Sequence, residues 1–304
     1  SANCSIYCGA KVDLVDIEES TFNLSMEALH QKLEKAELSN TLPKVVTVVH
    51  LAGEPAEMSK LKKLSKRYGF LILEDASHAL GSSINEVPIG SCQFSDICVF
   101  STHAIKVIST GEGGLATTQS KVYADRLEIV RSHGVVKDTN RFSTRCMKDE
   151  PWGYDQIGLG YNYRLNDIQA SLGISQLKKL ELFIETRESL RSIYSSRLFD
   201  SNIKCQKQQR NTKSANHLMI IKLKNKAERY ELFTHLKNQR VEVGVHYIPI
   251  HYHSFYKNIG FAPSDFPIAN DYYARCLSLP MHTKLTEEEV NHTCDLILNF
   301  LKSA

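Results

Sequence analysis

The sequence predicts an α/β protein in two parts, a larger N-terminal portion on a largely parallel sheet and a smaller α+β C-terminal portion. Three observations carry this expectation. Between residues 45 and 132, short apolar runs alternate with stretches of helical period, the pattern of parallel strands joined by crossover helices and covered on both faces. Beyond about residue 165 the texture changes to one long helical stretch. The chain then returns to a shorter mix of strand and helix patterns.

Val45–Val49 is a β-branched run, expected to be a buried strand. In "EPAEMSKLKKLSKRYG", Met58, Leu61, Leu64 and Tyr68 recur at helical spacing, and Gly69 supplies the stop. Phe70–Leu73 is a second apolar run, closed by Glu74 and Asp75; Ile97–Ser101 is a third and Gly114–Thr118 a fourth. Lys121–Ser132 has a helical pattern. The span "RLNDIQASLGISQLKKLELFIETRESLRSIYSSRL" predicts a connecting helix broken near Gly173. His217–Lys222 and Val241–Val245 are expected strands, with a helix at Ala227–Gln239 between them. Thr286 and Glu289 form a capping box ahead of the last helix. The division expected is residues 1–180 and 181–304.

Composition excludes several classes. With 42% hydrophobic and 23% charged residues, the chain has the make-up of an ordinary globular protein. A net charge of +3 gives no footing for nucleic acid, and no apolar run is long enough to span a membrane. The eight cysteines, at 4, 8, 92, 98, 146, 205, 276 and 294, show no Cys-x-x-Cys pair and no regular spacing. Reduced thiols in a cytoplasm are the simplest expectation.

The chemistry concentrates around "STHAIKVISTGEGG" at 101–114. Asp75 and Ser101 each fall at the carboxyl end of an expected strand, the edge where open parallel sheets bind ligands. Lys106 follows in the next loop, flanked by Ala104, Ile105, Val107 and Ile108. A lysine in apolar surroundings loses proton affinity and becomes a nucleophilic amine, as a Schiff-base lysine requires. An aspartate at the same edge can hold a protonated pyridine nitrogen, so that the ring acts as an electron sink. On spacing alone the plainer alternatives stay open: a solvated surface lysine, and an aspartate capping a helix over "ASHAL". The "GEGG" glycines precede an expected strand rather than a helix, which disfavours a dinucleotide fingerprint and a nicotinamide dehydrogenase. They suit a tight turn instead. His246, Tyr247, His251, Tyr252 and His253 alternate around Pro249, a pattern that fits the lining of a cleft better than a metal site.

Taken together, "EDASHALGS", "VFSTHAIKVISTGEGGLATT", "RSHG" and "GLGYNYRLNDIQASLGISQL" resemble the DegT/DnrJ/EryC1/StrS sugar aminotransferases, in the right order and over essentially the whole chain. The resemblance implies the three-layer α/β/α fold of type I aminotransferases, pyridoxal 5'-phosphate as cofactor, and a cytoplasmic homodimer with shared active sites. It implies that Lys106 bonds the cofactor and shuttles protons, that Asp75 holds the pyridinium proton, and that His78 contacts a ring substituent. Ser101 would bind the phosphate, Asn162 the phosphate of a neighbouring subunit, and Arg164, His246 and Tyr247 the sugar nucleotide. His103 and His133 would be structural. Lysine rather than histidine at 106 argues against the family's dehydrating branch. The stretches "SANCSIYCGAKVDLVDIEESTFNL", "HAIK" and "VHYIPIHYHSFY" resemble the branch that aminates a UDP-linked 4-keto-6-deoxy sugar from L-glutamate in pseudaminic acid biosynthesis. C3 against C4, and UDP against dTDP or GDP, stay open on these motifs. Family members carry a further stretch ahead of the position matching Ser1, with a phosphate-binding helix start and a ring-stacking aromatic. An N-terminally incomplete chain is therefore expected, and a catalytically silent fragment is the competing reading.

Overall fold

The computed structural model describes residues 1–144 and 148–303; Cys146 lies outside them. The central sheet runs β1 (Val45–Val49), β2 (Leu71–Asp75), β3 (Ile97–Ser101) and β4 (Gly114–Thr117), in that spatial order. β1, β2 and β3 are parallel, and β4 is antiparallel to β3. Register aligns Val49 with Asp75 and Asp75 with Val99, so the strand ends form one edge.

The two faces of this sheet differ. Successive side chains point to opposite sides. One side carries Val48, Ile72, Glu74, Cys98 and Phe100, all buried. Helices Met26–Leu38 and Met58–Tyr68 close over part of it, with Leu29, Leu33, Met58, Leu61 and Tyr68 forming one core with Val48 and Ile72. Gly69 ends the second helix at φ 78°, a left-handed stop that glycine adopts freely. The other side carries Val45, Val49 and Leu71, which are exposed, and also Asp75 and Ser101. The expectation of a sheet buried on both faces thus holds for one face of these strands.

A second, antiparallel sheet joins β5 (Lys204–Cys205), β6 (Met219–Lys222) and β7 (Cys276–Leu279), with β6 in the middle. Every residue of β6 and β7 is buried. Helices Leu180–Arg197, Lys226–Asn238 and Glu287–Ser303 share their core. The last of these begins with the expected capping box: Thr286 N–H donates to Glu289 Oε2 (2.8 Å) and Glu289 N–H to Thr286 Oγ1 (3.2 Å).

Two expectations change. The long connecting helix is not broken at Gly173; it divides into Asp167–Leu177 and Leu180–Arg197, where Lys179 turns to φ −102°, ψ 0°. Gly173 stays helical and does other work: a Cβ there would lie 3.0 Å from Thr110 Cγ2, so glycine lets the helix approach the lysine loop. Val241–Val245 is not a strand. It meets the sheet at one point only, where Gly244 and Ser278 exchange backbone hydrogen bonds, because Val241 and Val243 turn into the helical core instead.

Polar ties that sequence periodicity does not reveal join the halves. Asp16 accepts from the Ile268 and Ala269 N–H groups (both 2.9 Å) at the start of helix Pro267–Arg275, where a carboxylate is favoured by the helix dipole. Lys222, 2% exposed, places its ammonium 3.1 Å from both Glu19 and Asp271.

Leu61 is fully buried in the first core. Replacing it with Ala should lower the free energy of unfolding by about 2–5 kcal/mol in a denaturant titration. A loss well under 1 kcal/mol would show that the helix is not packed on the sheet.

Candidate active site

The site is assembled at the carboxyl edge of β2 and β3. Asp75 ends β2, and its Oδ1 accepts from Ser77 N–H (3.1 Å) and Ser77 Oγ (2.5 Å). Its Oδ2 accepts from the Ser1 hydroxyl. The segment that follows is a set of turns, not a helix, so Asp75 is no helix cap. Burial alone would raise the Asp75 carboxyl, but these hydrogen bonds outweigh it and hold the group below its ordinary range. Asp75 is therefore a fixed negative charge at neutral pH.

Lys106 lies in the loop from Thr102 to Thr110, whose ends are bound together. Thr110 N–H donates to Thr102 O (2.8 Å) and the two hydroxyls are 2.7 Å apart. Gly113 sits at φ 150°, and a Cβ there would come within 2.6 Å of Thr110 Oγ1 and 2.7 Å of Thr102 Oγ1. This close approach is the reason for one of the "GEGG" glycines. Val107 and Ile108 anchor the loop in the interior, whereas Ala104 and Ile105 face solvent, so only half of the expected apolar flank shields the amine. Lys106 is half-buried, and burial lowers its proton affinity although Asp75 pulls the other way. Its Nζ has no hydrogen-bond or ion-pair partner among the described residues.

His78 is buried in the turn after Asp75. Its Nδ1 accepts from Ala52 N–H (3.3 Å) and its Nε2 lies 3.3 Å from Tyr247 Oη. The His78 and His217 rings are 4.4 Å apart. Burial, reinforced by Lys106, drives the His78 pKa down to about 3. His217 is lowered to about 2, by burial first and then by His78, Arg187 and Lys106. His246 is lowered by burial and Lys106, and pairs with Ser278 Oγ at 2.8 Å. Tyr247 is raised by burial and by Asp75, so its phenol keeps its proton. Lys106 thus acts on Asp75, His78 and His246, and Tyr247 joins the group through Asp75 and His78.

The remaining candidates stand apart. Ser101 ends β3 half-buried and accepts from His103 N–H (3.3 Å). Asn162 and Arg164 are exposed, on a segment paired at Ser132–Asn162, and neither side chain contacts the Lys106 group among the described residues. His251 is buried on Asn270 (2.7 Å) and His253 is exposed, so the histidine–aromatic cluster divides, with only its first two members at the site. His217 was not a sequence candidate. Its signal is a histidine placed just before the apolar strand "MIIK".

An uncommitted amine of lowered proton affinity beside an ionised carboxylate fits a pyridine aldehyde such as pyridoxal phosphate. This chemistry on the carboxyl edge of a parallel sheet defines the class: a pyridoxal phosphate-dependent aminotransferase of the type I fold. Residues 1–298 match the profile of the DegT/DnrJ/EryC1/StrS aminotransferase family. The chain belongs to that family. It is 33% identical to the UDP-4-amino-4,6-dideoxy-N-acetyl-beta-L-altrosamine transaminase of Campylobacter jejuni, over 99% of this chain and 76% of that protein. It is 36% identical to the uncharacterized protein MJ1066 of Methanocaldococcus jannaschii, over 95% of this chain and 74% of the relative. Among solved structures it is similar to Helicobacter pylori PseC, an aminotransferase involved in the biosynthesis of pseudoaminic acid, with TM-score 0.88 and 30% identity, covering 100% of this chain and 77% of that one. The putative sugar aminotransferase Spr1654 of Streptococcus pneumoniae, solved in its PLP-form, superposes with TM-score 0.85 at 26% identity, over 99% of this chain and 78% of that one.

Because burial disfavours the Lys106 ammonium, its amine should react with a neutral acylating reagent at lower pH than the surface lysines. Competitive labelling across a pH series, read by peptide mass spectrometry, checks this. Titration of Lys106 together with exposed Lys121 would remove the argument.

Proposed function

We propose that this chain transfers an amino group from L-glutamate to the keto carbon of a nucleotide-linked 4-keto-6-deoxy sugar. The observation that carries the reading is the desolvated, unpaired Lys106 amine beside ionised Asp75. When bound, pyridoxal phosphate supplies the aldehyde that accepts the amino group and a ring that withdraws electrons. Lys106 would anchor that aldehyde through its amine. Freed from it, the Lys106 amine takes the α-proton from the donor carbon and later delivers a proton to the sugar carbon, a task that needs an amine neutral for part of the cycle. The Asp75 carboxylate would hold the proton on the ring nitrogen, His78 a ring substituent, and Ser101 the phosphate. His246 and Tyr247 would contact the sugar, with Arg164 reaching its nucleotide.

The substrate class rests on the relatives. Transaminases named for a UDP-linked 4-amino-4,6-dideoxy sugar are 32–33% identical, two from Campylobacter jejuni and one from Helicobacter pylori. GDP-perosamine synthases are also similar, at 27% and 29%. UDP is therefore the first nucleotide to test and GDP the second. The described cysteines are all free thiols, which suits a reducing cytoplasm. No described helix is long and apolar enough to cross a membrane.

The Asn162 side chain is exposed and contacts none of the Lys106 group among the described residues, which fits a role in a neighbour's phosphate site. The surface near it is apolar: Leu159 is 89% exposed, Tyr163 72%, and Ile168, in the adjoining helix, 84%. Such a surface is the expected mark of an interface, and a homodimer is the assembly proposed. The same reading places the boundary between a cofactor-binding part and a smaller part near residue 180.

Borohydride reduction with pyridoxal phosphate should label Lys106, and Lys106→Ala should retain binding of the sugar nucleotide while turnover is lost. Undiminished turnover in that variant would refute the assignment. Ile168→Asp should shift the species seen by light scattering from dimer to monomer and weaken cofactor binding. A wild-type monomer that turns over at full rate would refute the shared site.

A further inference from the structure

Strand β7 is buried throughout, yet its sequence "CLSL" holds one polar residue, Ser278, at 4% exposure. A hydroxyl in such a place needs a partner. Side chains alternate along the strand. Leu277 and Leu279 enter the helical core, and Cys276 packs on the opposite side with Phe22, Ala52, Ile220 and Tyr272. Ser278 shares the side of Cys276, and its Oγ meets His246 Nδ1 at 2.8 Å. This hydroxyl makes no other hydrogen bond among the described residues.

The contact has a direction. A hydroxyl has one proton to place, and a neutral imidazole has one nitrogen that donates and one that accepts. A protonated Nδ1 would donate to Ser278 Oγ and leave the serine proton inside the protein without an acceptor. A buried donor left unpaired costs more than a made hydrogen bond returns. The Ser278 hydroxyl therefore donates to a bare Nδ1, and the neutral ring carries its proton on Nε2. Burial and Lys106 both oppose a second proton on the ring.

The two residues are also held in place. Gly244 N–H donates to Ser278 O (3.1 Å), and Ser278 N–H donates to Gly244 O (2.8 Å). A Cβ on Gly244 would lie 3.3 Å from His246 Cε1, so glycine leaves the ring its room. The Tyr272 hydroxyl donates to the His246 carbonyl (2.5 Å). What remains is Nε2, which has no partner among the described residues, on a ring that is only partly buried.

We propose that Ser278 is a positioning residue for His246: its buried hydroxyl donates to Nδ1 and keeps the ring proton on Nε2, so that His246 meets the bound sugar as an uncharged hydrogen-bond donor and selects an oxygen that accepts. That His246 meets the sugar rests on the aminotransferase reading. The Ser278–His246 contact does not. A donor of fixed tautomer discriminates more sharply than a ring free to offer either a proton or a lone pair, because a substrate group that itself donates finds no acceptor there.

Nitrogen-15 NMR of the full chain labelled at histidine, without added cofactor, reads the tautomer. His246, assigned by the signals lost in His246→Gln, should show a protonated Nε2 and a bare, hydrogen-bonded Nδ1 at neutral pH. A ring protonated on Nδ1 overturns the proposal, and this spectrum decides the direction whether or not the variants fold. In Ser278→Ala, which removes one hydroxyl, the Nδ1 signal should move towards that of a free imidazole as the two tautomers mix. Ser278→Thr keeps the hydroxyl and should keep the wild-type pattern. A Ser278→Ala pattern identical with the wild type also overturns the proposal. With pyridoxal phosphate bound, Ser278→Ala should raise KM for the keto-sugar nucleotide by roughly 3- to 10-fold, the effect of one hydrogen bond, with kcat changed less. Ser278→Thr should restore it. An unchanged KM in Ser278→Ala overturns the role in sugar binding. Failure of the aminotransferase reading looks different: no amino donor changes the absorbance of the wild type loaded with pyridoxal phosphate, while the NMR result still decides the Ser278–His246 contact.

Discussion

The site depends on one balance. For the reaction proposed, Lys106 must be dry enough to shed its proton while its neighbour Asp75 stays charged, and each condition works against the other. Burial lowers the lysine, and the nearby carboxylate raises it. Burial would also raise the carboxylate, and the Ser1 and Ser77 hydrogen bonds, with the positive charge at the first residue, bring it below its ordinary range. Burial wins at the amine and hydrogen bonding wins at the carboxylate. The geometry needed for both is local: a loop closed at Thr102 and Thr110, a glycine at 113 that lets its ends approach, and an Asx-type turn through Ser77.

Behind that pair stands a block of uncharged histidines. His78 and His217 are packed ring to ring with protonation strongly suppressed in both. Both are tied to the turn at Leu51–Gly53: Ala52 donates to the His78 ring and accepts from the His217 backbone. A left-handed alanine costs on the order of 1 kcal/mol. It is offset by these hydrogen bonds, and a Cβ on Gly53 beside it would lie 3.0 Å from Asn216 N and 3.1 Å from Ala215 Cβ. Arg187 reinforces the strap from below, donating to the Asn216, His217 and Met281 carbonyls at 2.9–3.3 Å. Neutral imidazoles add no charge of their own that would draw water into the site.

Much of this was legible in the chain. Strand ends, the lysine loop and the capped last helix follow from runs, periods and capping residues that act over a few neighbours. What escaped was set over long separations. Nothing local marks Ala52 for a left-handed turn, or His217 for a ring contact with a histidine far along the chain. Gly173 resembled a helix breaker because helix propensity was the only local criterion; its helix survives because tertiary packing against Thr110 rewards the missing Cβ. Val241–Val245 has the composition of a strand, but two of its valines face a helical core rather than a neighbouring strand. Asn162 and Arg164 were legible only by resemblance, and among the described residues neither side chain contacts the Lys106 group.

The adjacent carboxylates of β2 show how strand register assigns chemistry. Glu74 points to the buried face, where Oε2 meets His50 Nε2 at 2.9 Å and Oε1 accepts from Ser95 Oγ. The His50 ring is oriented in turn by Ala56 N–H on Nδ1 (3.0 Å), so its Nε2–H donates to Glu74. That network is closed: both carboxylate oxygens are satisfied and 3% exposure leaves no route to a ligand. Asp75, one residue on, faces the half-open side with Ser101. Side chains alternate strictly along a strand, so a slip of one residue would exchange the two roles. It would bury Asp75 without the Ser77 turn and bring Glu74 to the edge without its histidine. The pairing of Val48 with Glu74 and of Glu74 with Cys98 guards against this, because Val48 and Cys98 must stay on the buried face. The apolar pattern of the sheet thus selects which carboxylate supports Lys106.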